Sequence, residues 1–302
     1  MTPNSDRKNK NVDKILLSFL SSYDSLSQAL QSTFGMPKKW YKKYGLKKKE
    51  LIRPVKAKEL IHIPLDLVNH RRINPNYSGP PIETIYEDQD FLVLNKPPGI
   101  HGHPLLNSDQ KNCLSFLRRI GKWECLNILA NKHERGLLYR LDSGTSGVLV
   151  LLKSEENLIY LRSHFTSTVK EKIYWAITSG RANIEGIHEH YLVGSGEKKS
   201  VMQIKNAGQK SILEILNSRY IKDKNVTFHQ IKLATGVRHQ IRAQLAFLGH
   251  PILGDTLYGG ELAERIFLHA YSYNLVLKNK QYQFVARNAF LFDFFLDLNC
   301  QF

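Results

Sequence analysis

Four short apolar runs, Phe91–Leu94, Val148–Leu152, Ile173–Ile177 and Ile212–Leu216, constrain most strongly what this chain can fold into. Each is too short for a helix with its own buried face, and together they are rich in Val, Ile and Leu between polar, glycine-containing loops. That is the pattern of buried strands. With a few helical stretches interspersed, it predicts an α+β domain over residues 82–302, built on a large, mixed but mostly antiparallel sheet. No internal repeat or low-complexity tract competes with this reading.

The segment His70 to Pro81, HRRINPNYSGPP, is dense in Asn, Gly, Ser and Pro and reads as a linker over 71–81. Before it, Val12, Ile15, Leu16, Phe19 and Leu20 follow helical spacing, as do Leu26, Ala29, Leu30 and Phe34, so two amphipathic helices are expected before Gly35 and Pro37. A strand is expected at Leu60 to Ile63. Residues 1–70 hold 14 Lys and Arg against six acidic residues, half of the chain's net charge of +16. This is a small basic module, predicted to be mainly helical. In the run Lys38, Lys39, Trp40, Tyr41, Lys42, Lys43, Tyr44, Lys47, Lys48, lysines suited to phosphates alternate with aromatic rings suited to stacking on bases. The competing reading is a solvated basic face.

A +16 chain of 302 residues favours a polyanionic partner, nucleic acid or an anionic membrane. Membrane spanning is disfavoured, because no apolar run approaches about 20 residues. Cys113, Cys125 and Cys300 form neither a disulfide framework nor a metal knuckle, which suggests a reducing, cytoplasmic setting. The close pairs His101/His103 and His188/His190 lack a third ligand nearby in sequence, so no metal is expected. With no self-complementary apolar stripe, a monomer is expected.

The sharpest chemical signal is Tyr139-Arg140-Leu141-Asp142-Ser143-Gly144-Thr145-Ser146-Gly147, running directly into the apolar segment Val148–Leu152. Small residues there allow close approach of a ligand or a second backbone. On physical grounds alone, a reactive turn and a surface Arg–Asp pair in a tight turn fit equally well.

Arg140, Leu141, Asp142, Thr145, Ser146 and Gly147 match in order the R-L-D-x-x-T-S-G signature of pseudouridine synthases of the RluA type, and further stretches agree. Residues Glu87 to Gly99 resemble the family's first core strand and N-K-P-x-G loop. Lys172 to Ala176 is similar to K-x-Y-x-A, and Thr235 to Arg242 to T-G-(K/R)-x-H-Q-I-R. Gly249 to Gly259 and Leu268 to Ala270 complete the series. The resemblance covers most of residues 82–275 and implies the pseudouridine synthase catalytic fold, isomerisation of uridine in rRNA or tRNA, and no cofactor.

By the same resemblance, Asp142 is the nucleophile, Arg242 its charge partner, and Tyr174 the ring against the uracil. Arg140 fills the gap left by a flipped nucleotide, while Thr145, Ser146, Lys172, His239 and Gln240 contact the substrate. A carboxylate in a pocket keeps its charge only beside a cation, and arginine stays charged and grips carboxylates in a fork. Val237 stands where the family has Arg or Lys, and Tyr139 where His often precedes the signature, so one phosphate contact is expected to be shifted or lost. The isolated N-terminal pattern resembles a small RNA-binding module shared with a ribosomal protein. Two rivals remain: a non-catalytic RNA-binding or ribosome-assembly protein on the same fold, and a glycosidase pairing Asp142 with Asp255.

Overall fold

The computed structural model describes residues 13–34, 41–42, 44–68, 73–106, 108–129, 132–196, 198–202 and 208–287. Lys38, Lys39, Trp40, Lys43 and Cys300 lie outside them. The chain divides into two compact units, Met1–Asn74 with Leu105–Asp109, and Pro75–Pro104 with Gln110–Phe302.

In the first unit, strand β1 (Lys14–Leu17) pairs antiparallel with β2 (Ile61–Pro64), setting Ile15 opposite Ile63. The helix expected from Val12 is therefore a strand. Ile15 and Leu17 turn partly inward while Leu16 is 52% exposed, a period of two, and the strand pairing outweighs the helical spacing. The second expected helix forms at Leu26–Phe34. Leu26, Ala29 and Leu30 pack with Phe19, Val55, Ile63, Leu67, Tyr41 and Tyr44 in one apolar core, against which Leu106 also rests. Tyr41 and Tyr44 are only 0% and 3% exposed, and the Tyr41 hydroxyl donates to the Ser27 carbonyl at 3.1 Å. These two rings are core residues and not stacking platforms. Lys42, Lys47 and Lys48 remain exposed.

The second unit is a ten-stranded sheet. Its strands are β3 (Glu83–Glu87), β4 (Phe91–Lys96), β5 (Ser146–Leu152), β6 (Val169–Ser179), β7 (Gly186–Ser195), β8 (Lys198–Met202), β9 (Gln209–Ile221), β10 (Val226–Leu233), β11 (Leu268–Leu277) and β12 (Lys280–Val285). The order is β3-β4-β5-β11-β6-β10-β9-β7-β8, with β12 also paired to β11. Among the described strands of this sheet, only the β5–β11 pairing is parallel; it joins His269 to Ser146 and Ala270 to Gly147. All seven residues of β5 are buried, so the strand is covered on both faces, which explains its unbroken apolar run. One core gathers around β6, β9 and β10, another around β4, β5, β11 and β12.

The parallel pairing depends on Gly147. Its φ is +107°, and a Cβ there would lie 2.1 Å from the Ala270 carbonyl oxygen. Any larger residue would drive β11 away from the strand that follows Asp142.

Candidate active site

Asp142 ends the loop before β5 in a turn closed by the Thr145 N–H donating to the Asp142 carbonyl at 3.1 Å. The turn is clamped from the loop after β4. The Gly99 N–H and the Lys96 ammonium both donate to the Ser143 carbonyl, at 2.8 and 3.0 Å. Lys96 is wholly buried and spends its other N–H groups on the Pro97 and Ile100 carbonyls, each at 2.9 Å. Burial pulls its pKa down to about 8, and three carbonyl acceptors match the three donors of an ammonium.

Helix Gln240–Phe247 carries Arg242 to the other side of the turn. The Arg242 Nη1 lies 3.1 Å from Asp142 Oδ2, while Nε and Nη2 grip Asp255 Oδ2 and Oδ1 at 2.7 and 2.8 Å. Arg242 is thus a buried cation bridging two carboxylates. Burial opposes its charge, but Asp255 and then Asp142 outweigh that and raise its pKa above the usual value. The Asp142 side chain keeps 25% of its surface accessible, whereas Asp255 keeps 1%. With both oxygens held by Arg242, Asp255 has no face to offer a sugar, which removes the glycosidase pairing.

His239 caps this helix with φ +58°, a left-handed conformation that costs a non-glycine residue about 1 kcal/mol or more. Its Nε2 lies 3.6 Å from Asp142 Oδ1. Burial is the main influence lowering its pKa; Asp142 pulls upward, and Arg242 and Arg238 push down. Tyr174 lies on β6, in register with Ile231 of β10 and Ala270 of β11. Burial, and secondarily the Asp142 charge, raises its pKa, so its hydroxyl is protonated at neutral pH. Asp142, Tyr174, His239 and Arg242 therefore converge from a loop, a strand and a helix end.

Other expected substrate contacts are turned elsewhere. Gln240 is 3% exposed: its Oε1 accepts from Thr235 Oγ1 and the Val237 N–H, and its Nε2 donates to the Ile212 carbonyl. It stitches the loop before the helix onto β9. Ser146 Oγ accepts from Arg265 at 2.6 Å and lies 2.8 Å from His269 Nδ1, within the core. Thr145 is buried, and Lys172 donates to the Thr235 carbonyl at 3.0 Å, with burial lowering its pKa to about 8. Arg140 is the outward residue of the signature, 60% exposed, 3.8 Å from Glu134 and lining a cleft of about 370 Å³ with Lys132, Tyr139 and Arg162. Tyr139 stacks on Tyr273 at 4.6 Å and donates to the Val148 carbonyl, so its ring is fixed beneath β5.

The sequence reading did not assign the bracing roles of Lys96 and Asp255, and did not single out Tyr258, whose ring faces the Arg242 guanidinium at 5.1 Å. An available signal was chemistry at close spacing: a carboxylate and a phenol, Asp255 and Tyr258, in a glycine-flanked loop soon after the helix bearing the arginine. Among the described residues no cluster of three His, Cys, Asp or Glu could hold a metal ion, and no helix is long and apolar enough to cross a membrane.

The fold is shared with solved pseudouridylate synthases. The human RNA pseudouridylate synthase domain containing 1 superposes with a TM-score of 0.56 at 21% identity, covering 70% of this chain and 84% of that one. In sequence, residues 90–247 match the family model described as RNA pseudouridylate synthase. The ribosomal large subunit pseudouridine synthase D of Borreliella burgdorferi is 32% identical over 72% of this chain and 69% of its own length. A protein of Helicobacter pylori named as an uncharacterized RNA pseudouridine synthase is 34% identical over 63% of this chain and 61% of its own. The chain belongs to the RNA pseudouridylate synthase family, whose members are isomerases acting on RNA.

Proposed function

We propose that this chain converts one or a few specific uridines of ribosomal or transfer RNA to pseudouridine, with Asp142 as the nucleophile. The observation that carries the reading is the state of the Asp142 carboxylate: one oxygen is fixed by a buried arginine, yet a quarter of the side chain remains accessible. That combination sets the carboxylate beside a cation and leaves it open to attack a substrate.

In this reading the target nucleotide is turned out of its stack, Arg140 fills the gap, and the uracil lies against Tyr174. Attack by Asp142 breaks the bond between the anomeric carbon and N1. That attack leaves an ester between Asp142 and the anomeric carbon. The uracil rotates, its carbon five bonds to the anomeric carbon as the ester bond breaks and frees the Asp142 carboxylate, the carbon-five proton leaves, and N1 gains one. Atoms balance without redox chemistry, and the proposal requires no cofactor. The name of the Borreliella relative favours large-subunit rRNA as the first substrate to try. Residues 1–70 with Lys42, Lys47 and Lys48 would dock RNA, residues 71–81 would link, and residues 82–302 would catalyse, in a cytoplasmic monomer.

The test uses an unmodified large-subunit rRNA transcript carrying tritium at uracil carbon five. Catalysed tritium release by the wild-type chain, with none from Asp142→Ala, is the expected result. RNA binding without release from this transcript or from a labelled tRNA pool would instead favour a non-catalytic RNA-binding role.

A further inference from the structure

Tyr258 touches both partners of Asp142. Its ring faces the Arg242 guanidinium carbon at 5.1 Å, and its hydroxyl lies 3.0 Å from His239 Nδ1. The same hydroxyl oxygen accepts the Lys199 backbone N–H of β8 at 2.7 Å. His239, with a side chain 8% exposed, turns its other ring nitrogen toward Asp142.

Hydrogen-bond accounting favours one arrangement of the protons. With the phenol oxygen accepting from Lys199, His239 Nδ1 is the acceptor in reach of its own proton. If Nδ1 carried the ring proton instead, the phenol proton would have no acceptor among the described residues, and a lone pair on Nε2 would face the carboxylate. Both ends of the imidazole thus favour the same neutral form, protonated on Nε2. The 3.6 Å separation to Asp142 Oδ1 is longer than a hydrogen bond, as ligand-free catalytic pairs often are before substrate tightens them.

We propose that Tyr258 and His239 form a positioning relay for the nucleophile. Tyr258 holds His239 in its Nε2–H form, and that N–H orients Asp142 Oδ1 while Arg242 holds Oδ2. The carboxylate is then gripped from two sides, so one oxygen presents a defined lone pair to the anomeric carbon. The strained backbone fits this role, since the left-handed φ falls at His239, the residue whose ring reaches toward Asp142. The relay rests on the assignment of Asp142 as nucleophile.

The experiment measures single-turnover tritium release from the same rRNA transcript, with RNA affinity by filter binding. Tyr258→Phe keeps the ring over Arg242 and removes only the hydroxyl. Its rate is expected to fall about tenfold with the half-saturating RNA concentration unchanged, the size of losing one hydrogen bond to a polar or charged partner. His239→Asn suits the left-handed backbone but is too short to reach Asp142, and should lose about a hundredfold. His239→Gln, whose amide nitrogen reaches the Nε2 position, should recover most of that loss. Wild-type rates in Tyr258→Phe and His239→Asn overturn the relay alone. Equal losses in the Asn and Gln variants, or losses that track weakened RNA binding, also overturn it. A wild-type chain that releases no tritium overturns the parent reading and the relay with it.

Discussion

Tyrosines in the two units have opposite surroundings. Tyr41 and Tyr44 sit among lysines in the sequence, yet their rings complete an apolar core. Tyr174, which is buried, and Tyr258, which is partly exposed, sit in motifs of the second unit and lie beside charged groups: Tyr174 feels the Asp142 charge, and Tyr258 contacts His239 and faces Arg242. Proximity to charge in sequence therefore says little about a ring, whereas proximity in space says much. A small unit must spend its aromatics on its core because it has few other residues to bury. A ten-stranded sheet has Val, Ile and Leu enough to close its cores and can hold tyrosines at a polar site.

That contrast predicts different responses to mutation. The largest effect belongs to Arg242→Met, which strands Asp255 in the interior. Breaking a buried pair costs about 3–5 kcal/mol, and the rate should fall by roughly a thousandfold. Denaturant unfolding and tritium release check the two parts. Gly147→Ala comes next: its Cβ would overlap the Ala270 carbonyl, and a loss of about 3 kcal/mol or more in unfolding free energy is expected.

Lys172→Met should act through pH. Its folded pKa of about 8 lies below the lysine reference of 10.5, so the folded state releases this proton first. Wild-type stability is then penalised below pH 8 and recovers as pH rises from about 8 toward 10.5. In Lys172→Met that part of the slope should vanish, which unfolding curves at pH 7.5 and 9.5 would register. The smallest effect on stability should come from the triple change Lys42→Ala, Lys47→Ala and Lys48→Ala in the first unit. Unfolding should shift by no more than about 0.5 kcal/mol, while the logarithmic salt slope of RNA binding should flatten by up to about 2 to 3 units. A large loss of stability from this triple would erase the contrast between the units.

Strands β4, β5 and β6 were legible because the runs Phe91–Leu94, Val148–Leu152 and Ile173–Ile177 are buried on both faces, whereas in Ile212–Leu216 of β9 burial alternates and Leu216 is exposed. Asp142, Tyr174 and Arg242 were legible because short motifs mark them, although the sequence says nothing of how a loop, a strand and a helix end meet. Less was legible where one pattern serves two structures. Ile15 to Leu20 fits a helix and forms a strand at Lys14–Leu17 because Ile61–Pro64, over forty residues away, supplies its partner. Motif membership also hid a division of labour, since Gln240 and Ser146 brace the scaffold through contacts with β9, Arg265 and His269 that are distant in sequence. No local feature signals that Leu105–Asp109 groups with the first unit.

The measurement that bears most directly on the central claim is pseudouridine mapping of total RNA from cells expressing either the wild-type chain or Asp142→Ala as their sole copy. Loss of pseudouridine at one or a few discrete positions in the variant, with the rest of the map intact, is the predicted result. An unchanged map, with the variant protein present at wild-type level, would contradict the assignment of Asp142 as nucleophile.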